Sequence, residues 1–95
     1  MGTYAVYILA SGRHGTLYIG VTNNLQRRLN EHQLGKGSEF ARKYNVGKLV
    51  HVEFFDDPES AIVREKRLKK WNRDWKISLI ETDNPDWQDL TRVIT

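Results

Sequence analysis

Tyr18-Ile19-Gly20-Val21-Thr22-Asn23-Asn24-Leu25-Gln26-Arg27-Arg28-Leu29-Asn30-Glu31-His32 runs from an aromatic and β-branched segment, through two asparagines, into an amphipathic helix. The first part has the composition of a strand. Asn23 or Asn24 supplies the helix cap and Gly35 its stop, so a helix is predicted from about Asn24 to Leu34. Side chains four residues apart share one face of a helix, and Arg28 and His32 have that spacing. A guanidinium and a titratable imidazole aimed the same way suit a phosphate.

Helical geometry separates the two arginines. At about 100° per residue, Arg28 falls roughly 60° from Leu25 and His32 roughly 20°, whereas Arg27 falls roughly 160° away. Arg28 and His32 therefore border the Leu25/Leu29 seam that should pack on a sheet, and Arg27 faces solvent. Both also have plain structural readings, Arg28 as a surface residue and His32 as a core-edge histidine bonded to a carbonyl.

Working outward, Tyr4 to Leu9 and Thr16 to Val21 are strand-like runs separated by Ser11-Gly12-Arg13-His14-Gly15, which predicts an antiparallel hairpin. A turn centred on Gly12-Arg13 would set Tyr7 opposite Tyr18, with both phenols on one face. Gly35 to Ser38 reads as a flexible basic loop, and Glu39 to Tyr44 as a short helix ended by Asn45 and Gly47. Lys48 to Phe55 is a third strand, apolar on both sides. Asp57 as cap and Pro58 at the first helical position open a long helix to about Trp71. Further helix is predicted around Asp74 to Glu81, then a turn at Thr82-Asp83-Asn84-Pro85, then a short helix near Asp86 to Leu90. The pattern implies an α/β (α+β) domain, a small three-stranded antiparallel sheet flanked by helices.

Composition narrows the function. The 95 residues have room for a single domain over 1–95 with one site, and 15 Lys and Arg against 12 Asp and Glu give a net charge of +3. That surplus permits nucleic-acid binding without requiring it. Arg64 to Arg73 concentrates six cations in ten residues, whereas the last fifteen carry mostly acidic charge, so one basic flank is expected. The absence of cysteine excludes disulfides, thiolate nucleophiles and zinc–thiolate sites. Met1-Gly2-Thr3 leads straight into a strand-like run without a basic and then apolar leader, and no apolar stretch reaches spanning length. A soluble cytoplasmic protein without membrane contact is the expectation.

The long helix contains an anomaly. Ala61, Ile62 and Leu68 mark its apolar face, and Glu65 lies within that stripe. A buried anion needs a cation, a metal ion or strong donors. A pair with Lys69 would satisfy it structurally, and metal ligation would do so functionally.

Together these pieces resemble the GIY-YIG nuclease family across nearly the whole chain. The first signature tripeptide stands here as Ala5-Val6-Tyr7, lacking the leading glycine, and the second, Tyr18-Ile19-Gly20, is intact. The closest likeness is to small stand-alone bacterial members, which resemble the N-terminal catalytic domain of the repair excinuclease and carry a stretch like Glu65-Lys66-Arg67-Leu68-Lys69-Lys70-Trp71. The resemblance implies a catalytic set of Tyr7, Tyr18, Arg28, His32, Glu65 and Asn84, with Asn72 as the other asparagine in reach, and Glu65 as ligand to Mg²⁺ or Mn²⁺. It implies hydrolysis of DNA phosphodiester bonds, in branched or nicked structures, in repair or recombination. Arg28 would fork onto the phosphate and Glu65 would hold one hard cation otherwise ligated by water and phosphate. Tyr7, Tyr18 or His32 would take the proton of the attacking water, and a phenol could do so near neutral pH only beside a cation. Lys66, Arg67, Lys69, Lys70 and Arg73 could follow the phosphate backbone, and Trp71 and Trp75 either fill the core or stack on bases. A homodimer or a protein partner would serve to cut both strands. The rival reading is a catalytically weak or inactive nucleic-acid-binding module.

Overall fold

A computed structural model describes residues 2–35 and 39–94, so the predicted loop is described only at Gly35. Three strands, β1 (Tyr4–Ala10), β2 (Leu17–Thr22) and β3 (Lys48–Phe55), form an antiparallel sheet in the order β2-β1-β3. β1 lies in the middle, and its run from Ala5 to Ala10 is fully buried. That is the burial a strand covered on both faces requires, and it explains the unbroken apolar sequence. An extra residue in β3 opposite the Ile8/Leu9 step, where Ile8 pairs with His51 and Leu9 with Leu49, makes a bulge that leaves Leu49 and Val50 both fully buried.

Helices cover the two faces. On one, Tyr7 and Leu9 pack with Leu29 of α1 (Leu25–Gln33) and Ala41 of α2 (Glu39–Lys43). On the other, Val6, Ile8 and Ala10 pack with Ala61 and Leu68 of α3 (Pro58–Lys70) and with Ile80 of α4 (Arg73–Asp83) and Trp87. α3 touches β1 and β2 more than β3, so it lies toward the β2 edge of the sheet. The capping residues read from sequence hold: Asn24 Oδ1 accepts from Arg27 N at 3.0 Å and Asp57 Oδ2 from Ser60 N at 2.8 Å. Asn72 opens α4 in the same way, accepting from Trp75 N at 2.9 Å.

Four expectations are corrected. The hairpin pairs Tyr7 with Gly20, and Tyr18 with Leu9, because the turn centres between Arg13 and His14, where His14 adopts φ 56°. The shift is two residues, so both phenols keep their common face. Ile62 is 41% exposed, because the buried line of α3 runs from Ala61 to Leu68 past Arg64 and Glu65. The last helix, α5, spans Thr91–Ile94 rather than Asp86 to Leu90, since Asp89 Oδ1 accepts from Thr91 N and so caps it there. In β3, Phe54 is exposed and His51 and Glu53 are polar, so that strand is not apolar on both sides throughout.

β3 and α3 are joined by an ionic cluster. Arg64 donates to both Glu53 oxygens, at 2.8 and 3.0 Å, and His51 Nε2 lies 2.8 Å from Glu53 Oε2. Burial alone would raise the Glu53 carboxyl, but His51 and Arg64 outweigh it and bring it down to about 2. The Arg64 guanidinium also lies 5.1 Å from the Trp71 ring. No helix of the described residues is long and apolar enough to cross a membrane.

Two outcomes follow from this packing. A carboxyl depressed by folding stabilises the protein above its ordinary value of 4.5 and loses that increment as pH falls toward about 2. Urea denaturation across that window should show stability falling by up to about 3 kcal/mol, less what solvent screening removes, and Glu53→Gln should flatten the curve. At Gly20 an added Cβ would lie 2.5 Å from Tyr7 Oη and 2.6 Å from Cζ of a ring with no room to retreat. Gly20→Ala should therefore cost about 1–3 kcal/mol by thermal denaturation, and combination with Tyr7→Leu should recover part of it.

Candidate active site

The site begins at the close approach of Tyr7 to Gly20. Only a residue without a side chain lets the phenol of the central strand cross β2. Tyr18, two residues earlier on β2, presents its ring beside it, with centroids 6.3 Å apart. β2 then turns into α1, where Asn24 N donates to Thr22 Oγ1 at 3.1 Å and the cap sets the phase of the helix. That phase turns Arg28 and His32 inward and half-buries them. Arg27 has a 64% exposed side chain and only a 4.0 Å approach to Glu31. The His32 ring stands edge-on to Tyr18 at 5.8 Å and to Tyr7 at 6.3 Å. Tyr7, Tyr18, Arg28 and His32 are thus brought together on the face covered by α1 and α2. A cleft of about 250 Å³ between α1 and the segment around α2 opens at His32.

Three buried polar atoms in this group meet no partner in good hydrogen-bond geometry among the described residues, Tyr7 Oη, Arg28 Nε and His32 Nε2, although the Arg28 guanidinium and Tyr18 hydroxyl lie close enough to the Tyr7 phenol to shift it. Each costs about 1–3 kcal/mol relative to a satisfied group, so folded chains rarely leave one, and here three share one place. Burial pushes the Tyr7 phenol up to about 12, helped by Tyr18 and opposed by Arg28. Tyr7 is therefore a protonated donor at neutral pH. The phenol in turn raises the Arg28 pKa, so the guanidinium is charged under all working conditions. Burial, and then the Arg28 charge, lower His32, with Glu31 acting the other way. Its imidazole is neutral at pH 7 and keeps one nitrogen able to accept a proton.

Glu65 lies apart from this group, on α3, which packs against the opposite face of the sheet. It sits within the buried line as its spacing implies, with a 13% exposed side chain, and Lys69 Nζ approaches Oε2 at 2.8 Å. The structural pairing is thus present. β2 is an edge strand of the sheet and contacts α3. No three of His, Cys, Asp and Glu converge among the described residues. Glu65 alone would leave any hard ion to draw its other ligands from water and substrate.

Asn84 is not brought to the group. It is 5% exposed at the end of α4; its amide donates to Val50 O at 3.2 Å and Gln88 O at 2.9 Å, and its Oδ1 accepts from Gln88 N at 2.9 Å. Those bonds hold α4 and the following turn to β3, and Asn72 serves as a helix cap. Arg73 donates to His14 O and, at 2.6 Å, to Gly15 O, which ties α4 to the hairpin and takes it out of the free basic face. Lys66, Arg67 and Lys70 remain exposed on α3. Trp71 is part of the core margin, whereas Trp75 is 59% exposed and stands edge-on to it at 5.7 Å. Sequence reasoning passed over Phe40 and Tyr44, four apart on and just after α2, which extend the aromatic group outward from Tyr18. The i,i+4 aromatic spacing was the available signal.

With the hairpin, the inward arginine and the two phenols in place, the chain can be compared with known proteins. Residues 3–78 match the GIY-YIG catalytic domain, and the chain belongs to that family. It is similar to UPF0213 proteins: 40% identical over 77 residues to one from Clostridium perfringens, covering 81% of this chain and 82% of the relative. To one from Natronomonas pharaonis it is 39% identical over 75 residues, covering 79% and 87%. The solution NMR structure of the UPF0213 protein BH0048 from Bacillus halodurans superposes with a TM-score of 0.58 at 29% identity and covers 97% of both chains.

Removing the hydroxyl of Tyr7 separates fold from function. Because Oη meets no partner in good hydrogen-bond geometry, Tyr7→Phe should be neutral or stabilising by up to about 1 kcal/mol in thermal denaturation. A loss of about 2 kcal/mol or more would show that the hydroxyl is bonded within the protein.

Proposed function

We propose that this protein is a Mg²⁺- or Mn²⁺-dependent endonuclease that hydrolyses DNA phosphodiester bonds, with branched or nicked DNA as substrate in repair or recombination. The convergence of unpartnered Tyr7 Oη, Arg28 Nε and His32 Nε2 carries the reading, since a phosphate and its attacking water would satisfy all three. Membership of a nuclease family supports it. Arg28, charged and half-buried, binds a nonbridging phosphate oxygen and counters the charge that grows there in the transition state. Tyr7, held protonated, donates a hydrogen bond to the same phosphate or to the water. His32, neutral at pH 7, accepts the proton of that water, and Tyr18 orients it between the rings. Glu65 would hold the divalent ion, which when bound supplies Lewis-acid stabilisation of the phosphate and leaving oxygen. Lys66, Arg67 and Lys70 give the strand a basic flank on α3.

The Glu65–Lys69 pair favours a second reading, a nucleic-acid-binding module in which the carboxylate is structural and catalysis is weak. Incubating the protein with branched, nicked and single-stranded DNA and either metal distinguishes the two. Under the nuclease reading Arg28→Ala should lower the cleavage rate about 100- to 1,000-fold, and Glu65→Gln should lower it similarly while raising the metal concentration required. DNA affinity without metal-dependent cleavage would support the binding module. Cleavage unchanged in both variants would sink the assignment of the site.

The pH dependence has a defined sign. Protonating His32 removes the acceptor, so the rate should fall as pH drops below the ordinary histidine value of 6.5, and the depressed pKa places that limb to the acid side. His32→Gln should lower the plateau and abolish the limb. A profile in which the limb survives this substitution would pass the proton to another group.

A further inference from the structure

Phe40 and Tyr44 are both partly exposed, at 44% and 45%. Their rings touch at 4.7 Å between centroids and are tilted by 43°. Phe40 in turn lies 6.1 Å from the Tyr18 ring, so an unbroken line of rings leads from the candidate active site to open solvent. The i,i+4 spacing explains why Phe40 meets Tyr44. It does not explain why both stay half-exposed beside the cluster of unpartnered polar atoms found among the described residues. Cations flank the line: Lys43 Nζ stands 5.5 Å from the Tyr44 ring centre, and Arg42 borders the cleft that opens at His32.

Partly exposed rings flanked by cations are what single-stranded nucleic acids need, because every base has a π-face and the backbone carries the charge. A base inside a duplex has both faces covered by its neighbours and offers none. Resting on the nuclease reading above, the geometry points to Phe40 and Tyr44 as a stacking platform for an unpaired base next to the phosphate held at Arg28. The substrate class is then DNA with unpaired nucleotides at the cleavage point, such as a flap, a frayed branch or a single strand. Tyr18 forms the inner end of the platform, and Lys43 and Arg42 engage the phosphates on its outer side.

Fluorescence anisotropy tests this in EDTA, where nothing is cut, with a labelled single strand and the blunt duplex of the same sequence. The wild type is expected to prefer the single strand. Phe40→Leu combined with Tyr44→Leu, which keeps helix-forming side chains at exposed positions, should weaken single-strand binding about tenfold or more and change duplex binding little. Tyr44→Phe should bind like the wild type. A 2-aminopurine base in the single strand should be quenched by the wild type and not by the double variant. Unchanged binding of the double variant, or equal losses on both DNAs, would overturn the platform. Metal-dependent cleavage by the wild type, with no preference for unpaired DNA, would overturn the platform alone. A wild type that neither binds nor cleaves any of these DNAs would overturn it together with the nuclease reading.

Discussion

The Tyr7 phenol lies across the bare backbone of Gly20, and most of the functional geometry depends on that contact. It requires three things at once: a tyrosine on the central strand, a glycine directly opposite on the edge strand, and a hairpin turn that sets this register. Arg28 and His32 then find the phenol because α1 begins immediately after β2, with its phase set by Asn24. A side chain at position 20 would hold the ring away and separate the phenol from the guanidinium that now opposes its rise in pKa.

A folded chain gains nothing in stability from three unpartnered polar atoms. The protein tolerates them because the surroundings are strongly determined: a central strand buried from Ala5 to Ala10, packed helices on both faces, and the Glu53–Arg64–His51 cluster locking β3 to α3. Unsatisfied groups held close together in one place are pre-oriented for a ligand, and because all three atoms are buried, local opening around α1 and α2 has to admit it. The opposite face is arranged differently. There Glu65, Asn84 and Arg73 all have partners: Asn84 and Arg73 tie α4 to β3 and the hairpin, and Glu65 pairs with Lys69 within α3. Any role for Glu65 toward an ion therefore competes with Lys69, and that competition gives metal concentration its diagnostic value.

Local signals were legible in the sequence wherever the cause was local. Asn24 and Asp57 mark helix starts through bonds to residues three positions away, Pro58 does so by its fixed φ, and Arg28 was distinguished from Arg27 by helical phase alone. The hairpin register was missed by two residues, because His14 takes a left-handed conformation and the Tyr7–Gly20 crossing is a contact between strands. Ile62 looked apolar-facing, but spacing cannot show that the sheet-facing side of α3 is tipped toward Arg64, which is bonded across to Glu53 on the flank opposite Ile62. Asn84 looked catalytic by resemblance, and only the fold reveals that Val50 and Gln88 use up its amide. Trp87 fills the core while Trp75 remains outside, a distinction that two similar aromatic positions near the same helix do not encode.

The claim that the unpartnered atoms form a phosphate site can be tested most directly by side-chain NMR of ¹⁵N-labelled protein titrated with a non-cleavable oligonucleotide in the presence of Mg²⁺. The expected result is that the Arg28 Nε–H and His32 ring resonances shift together at low oligonucleotide concentration, while Arg27 Nε–H is unaffected. Shifts confined to Arg27 and the α3 cations, with Arg28 and His32 unchanged at saturation, would contradict the account.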